Sequence, residues 1–217
     1  MTKHASNESD ANFSFEMRKK RFSLFLRLIN KRNLKQPKIL DVGGTETFWN
    51  LMNSSLKTDF SPTLFNKHFE KKLSDDPRCI QGDATNLSIF SDQEFDVAFS
   101  NSVIEHLETF ENQKKMADEI QRVSRFHFIQ TPSFFFPFEP HFLFPMFHWL
   151  PLIIRARLLQ YFNLGWFPKT KNFSDSLDIV KEIRLLSRWE LKKLFPHSKI
   201  YFERFWGLTK SYTVSNL

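Results

Sequence analysis

From residue 37 to residue 131 short apolar runs alternate with amphipathic stretches, and that alternation is the main structural signal in the chain. Residues 38–42 read as a buried strand, 47–53 as a short helix and 56–60 as a second strand. Residues 62–73 read as a helix, with Ser61 as N-cap and Pro62 at the first helical position. Residues 78–81 and 95–100 supply two more strands. Residues 111–125 make a helix with Met116, Ile120 and Val123 on one face, and 126–131 a fifth strand. Strands that alternate with helices across short links argue for a parallel sheet with right-handed crossovers. Residues 134–169 break the rhythm, first rich in proline and phenylalanine, then helical over 152–162. A helix over 187–195 follows, and strands over 199–205 and 208–214 meet at Gly207 as an antiparallel hairpin on the sheet edge.

The N-terminal region is different. Residues 1–12 are polar and read as a disordered tail. Residues 13–36 read as a basic amphipathic helix, with Phe22, Phe25, Leu26 and Ile29 at helical spacing. Its polar side carries Arg18, Lys19, Lys20, Arg21, Arg27, Lys31, Arg32 and Lys35 against Glu16. Such a helix suits an anionic membrane surface, and it equally suits packing on a domain with its basic face in water.

Composition narrows the classes. At roughly 150 residues per domain, 217 residues make one domain with decorations. A composition of 41% hydrophobic and 25% charged residues is globular rather than disordered. One cysteine, Cys79, excludes an internal disulfide and a cysteine-rich zinc site, and no cluster has metal-ligand spacing, so no metal is expected. The apolar stretch over 134–154 is broken by four prolines and is no spanning helix. With no secretory pattern at its start, the chain is expected to be cytoplasmic, with peripheral contact at the membrane through the basic helix and the aromatic stretch. The net charge of +7 raises nucleic acid as a partner. Phenylalanine occurs 27 times against 5 glycines, so where the aromatics cluster matters.

Four segments carry candidate chemistry. In Ile39-Leu40-Asp41-Val42-Gly43-Gly44 an apolar strand ends in an acid and two glycines, which lets backbone approach a ligand at the carboxyl end of a strand. In Thr58-Asp59-Phe60-Ser61-Pro62 a carboxylate at the tip of a second strand matches a vicinal diol such as ribose. Gly82-Asp83-Ala84 places an acid where it can accept from an exocyclic amine, and the strand over 95–100 opens into polar Ser100, Asn101 and Ser102.

In order and spacing these segments resemble the class I S-adenosylmethionine-dependent methyltransferases, in the small-molecule branch called type 11. The resemblance covers about residues 37–132 and 187–214 and includes Ser102-Val103-Ile104-Glu105-His106-Leu107 after the fourth strand. It implies an α/β fold: a Rossmann-like, seven-stranded, mostly parallel sheet in the order 3-2-1-4-5-7-6, with helices on both faces. The methyltransferase domain would span 37–217, with an aromatic lid inserted at 133–175. It further implies S-adenosylmethionine as cofactor, held by Asp41, Gly43, Gly44, Asp59, Asp83, Ala84, Ser100 and Asn101. The family's first motif runs acid-x-Gly-x-Gly-x-Gly, whereas the matching frame here reads Asp41, Gly43, Thr45 and Thr47. A bacterial subset of the family has a similar Gly-Gly-Thr-Glu form, together with the Glu-Pro-His-Phe-Leu-Phe-Pro segment found here at 139–145.

Methyl transfer from a sulfonium is an in-line displacement, so the protein mainly aligns the acceptor, and a hydroxyl acceptor also needs a base. His106, His141 and Glu105 are the candidates, with the larger loss on removal expected at His106 because it follows the fourth strand. The phenylalanine-rich segment around His141 fits the wall of an acceptor pocket. The acceptor is expected to be a small molecule, extending to a glycan or lipid-linked sugar. Ser100-Asn101-Ser102-Val103 stands where a nucleic-acid enzyme would carry Asn-Pro-Pro-aromatic, which disfavours nucleic acid. A cofactor-binding protein without turnover is the remaining alternative.

Overall fold

The computed structural model describes residues 8–69, 76–139 and 141–217. Its strands are β1 (Ile39–Val42), β2 (Thr63–Asn66), β3 (Cys79–Gln81), β4 (Phe95–Asn101), β5 (Ser124–Pro132), β6 (Lys199–Phe205) and β7 (Leu208–Ser215). They form one sheet in the order β3-β2-β1-β4-β5-β7-β6. The first five are parallel, and β7 runs antiparallel between β5 and β6. This is the Rossmann-like topology that the resemblance implied.

The strands are apolar because both faces are covered. On one face Phe99 and Phe128 pack beneath α1 (Glu8–Lys31) and α2 (Glu46–Leu56), with Phe22, Phe25, Trp49 and Met52. On the other, Leu40, Ala98 and Ile129 pack against Met116, Ile120 and Val123 of α3 (Phe110–Val123) and Leu191 of α6 (Arg188–Leu194). Ser187 caps α6 in a reciprocal pair with Glu190.

Helix α1 begins at Glu8, so residues 8–12 of the expected tail are helical, and residues 1–7 lie outside the described residues. It stops at Lys31, five residues before the expected end, because Asn33 turns left-handed (φ 53°) and Leu34 N donates back to Ile29 O. Its apolar face belongs to the core rather than to a membrane. The Phe25 ring lies 5.2 Å from that of Phe99 and 5.3 Å from that of Phe128. Burying one such ring stabilises the fold by about 1.5–3 kcal/mol. Arg18, Lys20 and Arg27 face water.

The second strand departs most from expectation. Residues 56–60 contain the end of α2 and a turn in which the Asn53 side chain binds Thr58 and Phe60, and the strand runs instead from Thr63 to Asn66. No helix starts at Pro62; the part of the expected helix at 70–75 lies outside the described residues. The physical reason is two-sided burial: Leu64 enters the core under α1 and Phe65 the opposite core, which a strand between two parallel neighbours satisfies.

Between β5 and α6 the chain forms an insert with its own core, in which Phe142, Phe147, Ala156, Leu159 and Val180 are buried. It holds α4 (Leu152–Tyr161) and α5 (Phe173–Lys181), and a bridge between Ser133 and Leu186 pins its two ends together. The expected boundary at 175 falls inside α5, whose Phe173, Leu177 and Val180 give it a short apolar face.

Candidate active site

The loop after β1 explains its own glycines. The Asp41 carboxylate is buried and accepts a 2.6 Å hydrogen bond from Trp49 Nε1. Burial pushes its pKa up to about 7, and the bond from Trp49 only partly offsets this. Gly44 lies against that carboxylate: a Cβ there would sit 2.1 Å from Asp41 Oδ2. Gly43 has φ +83°, and its Cβ would sit 2.2 Å from Val103 Cγ2. The chain enters α2 at once. Thr45 is the N-cap, its Oγ1 accepting from Phe48 N at 3.3 Å, and Thr47 is in the first turn. Positions 45 and 47 therefore need no glycine.

Two cavities open at the carboxyl ends of the parallel strands, and Gly43 and Ser102 border both. The first, about 350 Å³, is floored by Asp41, Gly44 and Asn101. Its walls come from α1 (Arg18, Arg21), the insert (Phe136, Phe138, His141, Trp166) and the terminal hairpin (Glu203, Lys210, Ser211). The second, about 270 Å³, is lined by Phe65, Asn66, Gly82, Asp83, Ala84 and His106. Ser102 forms the ridge between them in a left-handed conformation (φ 58°), held by bonds from its N to Gln130 O (3.0 Å) and from its Oγ to Gln130 Oε1 (2.9 Å). A Cβ on Gly82 would sit 2.2 Å from the Phe65 ring, so that residue too is constrained to glycine.

Of the expected cofactor residues, Asp41, Gly43, Gly44 and Asn101 border the first cavity, and Asp83 and Ala84 the second. Asp83 accepts from Thr85 N (2.8 Å) and Oγ1 (2.7 Å), which hold its carboxyl below the usual range. The other two expected residues, Ser100 and Asp59, border neither cavity. Ser100 is fully buried and donates to Val42 O at 2.8 Å, so it ties β4 to β1 under the floor. Asp59 is exposed ahead of β2, away from that strand's carboxyl end, because the strand begins four residues after it. The carboxyl end carries Asn66, whose Nδ2 donates to Gly44 O at 3.1 Å, followed by Lys67.

The candidate bases separate clearly. Glu105 borders neither cavity: it is buried, its Oε2 accepts from Thr131 Oγ1 (3.0 Å), and its Oε1 has no partner among the described residues. Burial pushes its pKa up to about 7. His106 and His141, read from the sequence as rivals, are neighbours, with ring centroids 4.8 Å apart and planes at 88°. His106 borders the second cavity, and desolvation, then the nearby His141, hold its pKa below the ordinary imidazole value. His141 borders the first cavity. Its Nδ1 is hydrogen-bonded to Oε1 of buried Glu139, whose Oε2 accepts from the backbone N of His141 (2.9 Å) and Phe142 (2.8 Å). Trp166 closes the far side of the imidazole at 5.0 Å, which only Gly165 permits: a Cβ there would lie 2.2 Å from His141 O.

Sequence reasoning missed Glu139 as the partner of His141, although the Glu-x-His spacing was legible. It also missed Gln130, Trp166 and Arg21. Arg21 Nη1 donates to Asn101 Oδ1 at 2.8 Å and its Nε pairs with Glu203 at 3.2 Å, placing one arginine of the basic helix inside the site. Among the described residues no group of three His, Cys, Asp or Glu is placed to hold a metal, and no helix is long and apolar enough to cross a membrane.

Residues 40–126 match a family model described as a methyltransferase domain. The fold is similar to that of a protein from Pyrococcus horikoshii at 16% identity, covering 99% of this chain and 92% of that one, with a TM-score of 0.52. It is similar to a 1,6-didemethyltoxoflavin-N1-methyltransferase of Burkholderia thailandensis, solved with S-adenosylhomocysteine, at 11% identity, covering 95% and 80%, with a TM-score of 0.54. A magnesium protoporphyrin IX methyltransferase of Synechocystis aligns at 10% identity over 99% and 89%, with a TM-score of 0.52. No curated protein matches the sequence. The match to a methyltransferase-domain model covers residues 40–126, and the sheet order β3-β2-β1-β4-β5-β7-β6 is a fold shared with these solved structures.

Proposed function

We propose that this chain is an S-adenosylmethionine-dependent methyltransferase, which binds its cofactor across the Gly43–Ser102 ridge and methylates a hydroxyl-bearing small molecule held under the insert, which acts as a lid. The observation that carries this reading is the meeting of the two cavities at that ridge, with one wall bearing His141 backed by Glu139. The nucleoside end fits the second cavity, beside Asn66, Asp83 and Ala84. The amino-acid end fits the first, where an ammonium group beside Asp41 would favour the ionised carboxylate that burial alone opposes. Gly43, Gly44 and Gly82 keep clear the backbone that such a ligand would approach.

When bound, the cofactor supplies a methyl group on a positively charged sulfur, and transfer leaves a neutral thioether. The chain's own residues orient the acceptor and take its proton. With Nδ1–H donated to Glu139, His141 has its Nε2 lone pair free, and that atom takes the acceptor's hydroxyl proton. The Glu139 carboxylate then balances the imidazolium. Wedged between the rings of His106 and Trp166, the imidazole keeps its orientation. His106 serves as a wall and positioning group.

The cavity combines aromatic faces (Phe136, Phe138, Trp166) with amide and hydroxyl groups (Asn101, Gln130, Ser133, Ser211). Aromatic faces pack on the C–H side of a sugar ring, and amides and hydroxyls both donate and accept to its hydroxyls. That pairing favours a glycan acceptor, including a lipid-linked sugar. The two enzymes named above are, by their names, methyltransferases of 1,6-didemethyltoxoflavin and of magnesium protoporphyrin IX.

Calorimetry of the folded chain tests the cofactor assignment: S-adenosylmethionine and S-adenosylhomocysteine should each bind at one site, and NAD should give no heat. Folded protein that takes up neither ligand would reject the proposal.

A further inference from the structure

We propose that the outer face of the insert docks on an anionic lipid bilayer, beside the mouth of the acceptor cavity. Docking stands on the surface itself; only the delivery of a lipid-borne acceptor rests on the function proposed above.

Helix α4 is apolar on both sides. Ala156 and Leu159 are fully buried in the core of the insert, while Ile153 is 65% exposed, Ile154 47% and Tyr161 65%. At about 100° per residue, positions 153, 154, 157 and 161 share one arc of the helix. The flanking Phe144, Met146 and Phe162 are exposed as well. Soluble surfaces rarely gather large apolar side chains in this density without a partner.

Charge identifies the partner. Residues 140–172 contain no aspartate or glutamate, and they carry Arg155, Arg157, Lys169 and Lys171. Arg157, Lys169 and Lys171 are exposed. Within residues 140–172 the exposed apolar side chains are set among cations alone, which complements anionic headgroups above hydrocarbon; the insert's exposed acids, Asp175, Asp178 and Glu182, follow on and after α5. A second copy of this chain would bring the same cations against these and no carboxylate from this segment to meet them, which disfavours self-association. Tryptophan and tyrosine suit the membrane interface, and Tyr161 and Trp166 are both exposed here. Trp166 also borders the acceptor cavity and touches the His141 ring, so the docking face runs to the edge of the site. Membrane contact was expected of the basic N-terminal helix together with the aromatic stretch; the proposal rests on the insert alone, because the apolar side chains of the helix are buried against the sheet.

The test is sedimentation of the full chain with vesicles of phosphatidylcholine alone and of phosphatidylcholine mixed with phosphatidylglycerol. The chain should bind the anionic vesicles, and salt should weaken that binding. The double variant Ile153→Ser, Ile154→Ser should lower partitioning about tenfold or more. Lys169→Glu with Lys171→Glu, which touches no apolar side chain, should also lower it and flatten the salt dependence. Melting temperatures of both variants should match the parent, and the second variant decides the matter if the first is unstable. No binding to anionic vesicles would overturn the proposal, as would binding indifferent to the charge reversal. Concentration-dependent self-association, lost in the isoleucine variant while vesicle binding persists, would assign the face to a second copy instead. Cofactor calorimetry on the same samples separates the two readings: docking without cofactor uptake sinks the function alone, and uptake without docking sinks the docking alone.

Discussion

The two walls of the first cavity are held in place by different physics. On the sheet side Asp41, Gly43, Asn101 and Ser102 stand where strand ends put them, so their positions depend on the parallel register of β1 and β4. On the insert side His141 is fixed by one buried carboxylate, Glu139, with three bonds to two consecutive residues. A sheet position is a long-range property shared among many ladder bonds. The insert position is local, so removing a single side chain should disturb it most.

That contrast is broken most strongly at the insert. His141→Ala should lower turnover by about 10²–10⁴-fold, the usual scale of general-base catalysis, while leaving cofactor affinity nearly intact. His106→Ala should cost much less. Glu139→Ala should fall near His141→Ala in turnover, and Glu139→Gln, which can still accept from Nδ1–H, should recover part of the loss. If turnover falls with His106→Ala and survives His141→Ala, the proton goes to the wall of the second cavity instead.

The sheet side is probed by pH. Glu105 has a folded pKa raised to about 7 from an ordinary 4.5. The native state therefore holds a proton that the unfolded chain has lost. The resulting stability is complete below about pH 4.5 and is lost as pH rises through about 7. Glu105→Gln does not titrate, so its melting temperature relative to the parent should climb between pH 5 and pH 8. The difference should reach at most about 3 kcal/mol. His106 and His127, whose pKa values are lowered, run in the opposite direction but are common to both proteins and cancel. A constant offset across that range would mean that Glu105 is not held protonated.

A smaller effect distinguishes the two candidate ends of the second strand. Asn66→Ala should weaken cofactor binding by about 1 kcal/mol, the net value of an ordinary hydrogen bond, and Asp59→Ala should leave it unchanged. Equal losses at both, measured by calorimetry, would restore Asp59 to the site.

The same contrast explains what could be read from the sequence. The elements around β1, β4 and β5 were legible because apolar runs between caps and turns follow from local pattern, whereas the strand order came only from the family resemblance. The second strand was misplaced because Leu64 and Phe65 serve opposite cores, a tertiary fact that no helical or alternating period reveals. Moving the strand by a few residues took Asp59 from the strand's carboxyl end to its entry. The two histidines were legible as candidates but not as neighbours, since residues 106 and 141 meet only after β5 and the start of the insert have been laid down. The basic helix was legible as amphipathic. Its partner was not, because an apolar face has the same pattern whether it meets a sheet or a lipid.

The most direct test of the central claim is amide hydrogen exchange with and without S-adenosylhomocysteine. The account predicts slowed exchange at residues 41–45, 66–67, 82–84 and 101–107, the segments that border the shared ridge, with no change at 58–60. Protection centred on 58–60, or ligand binding that leaves residues 41–45 and 101–107 unprotected, would contradict it.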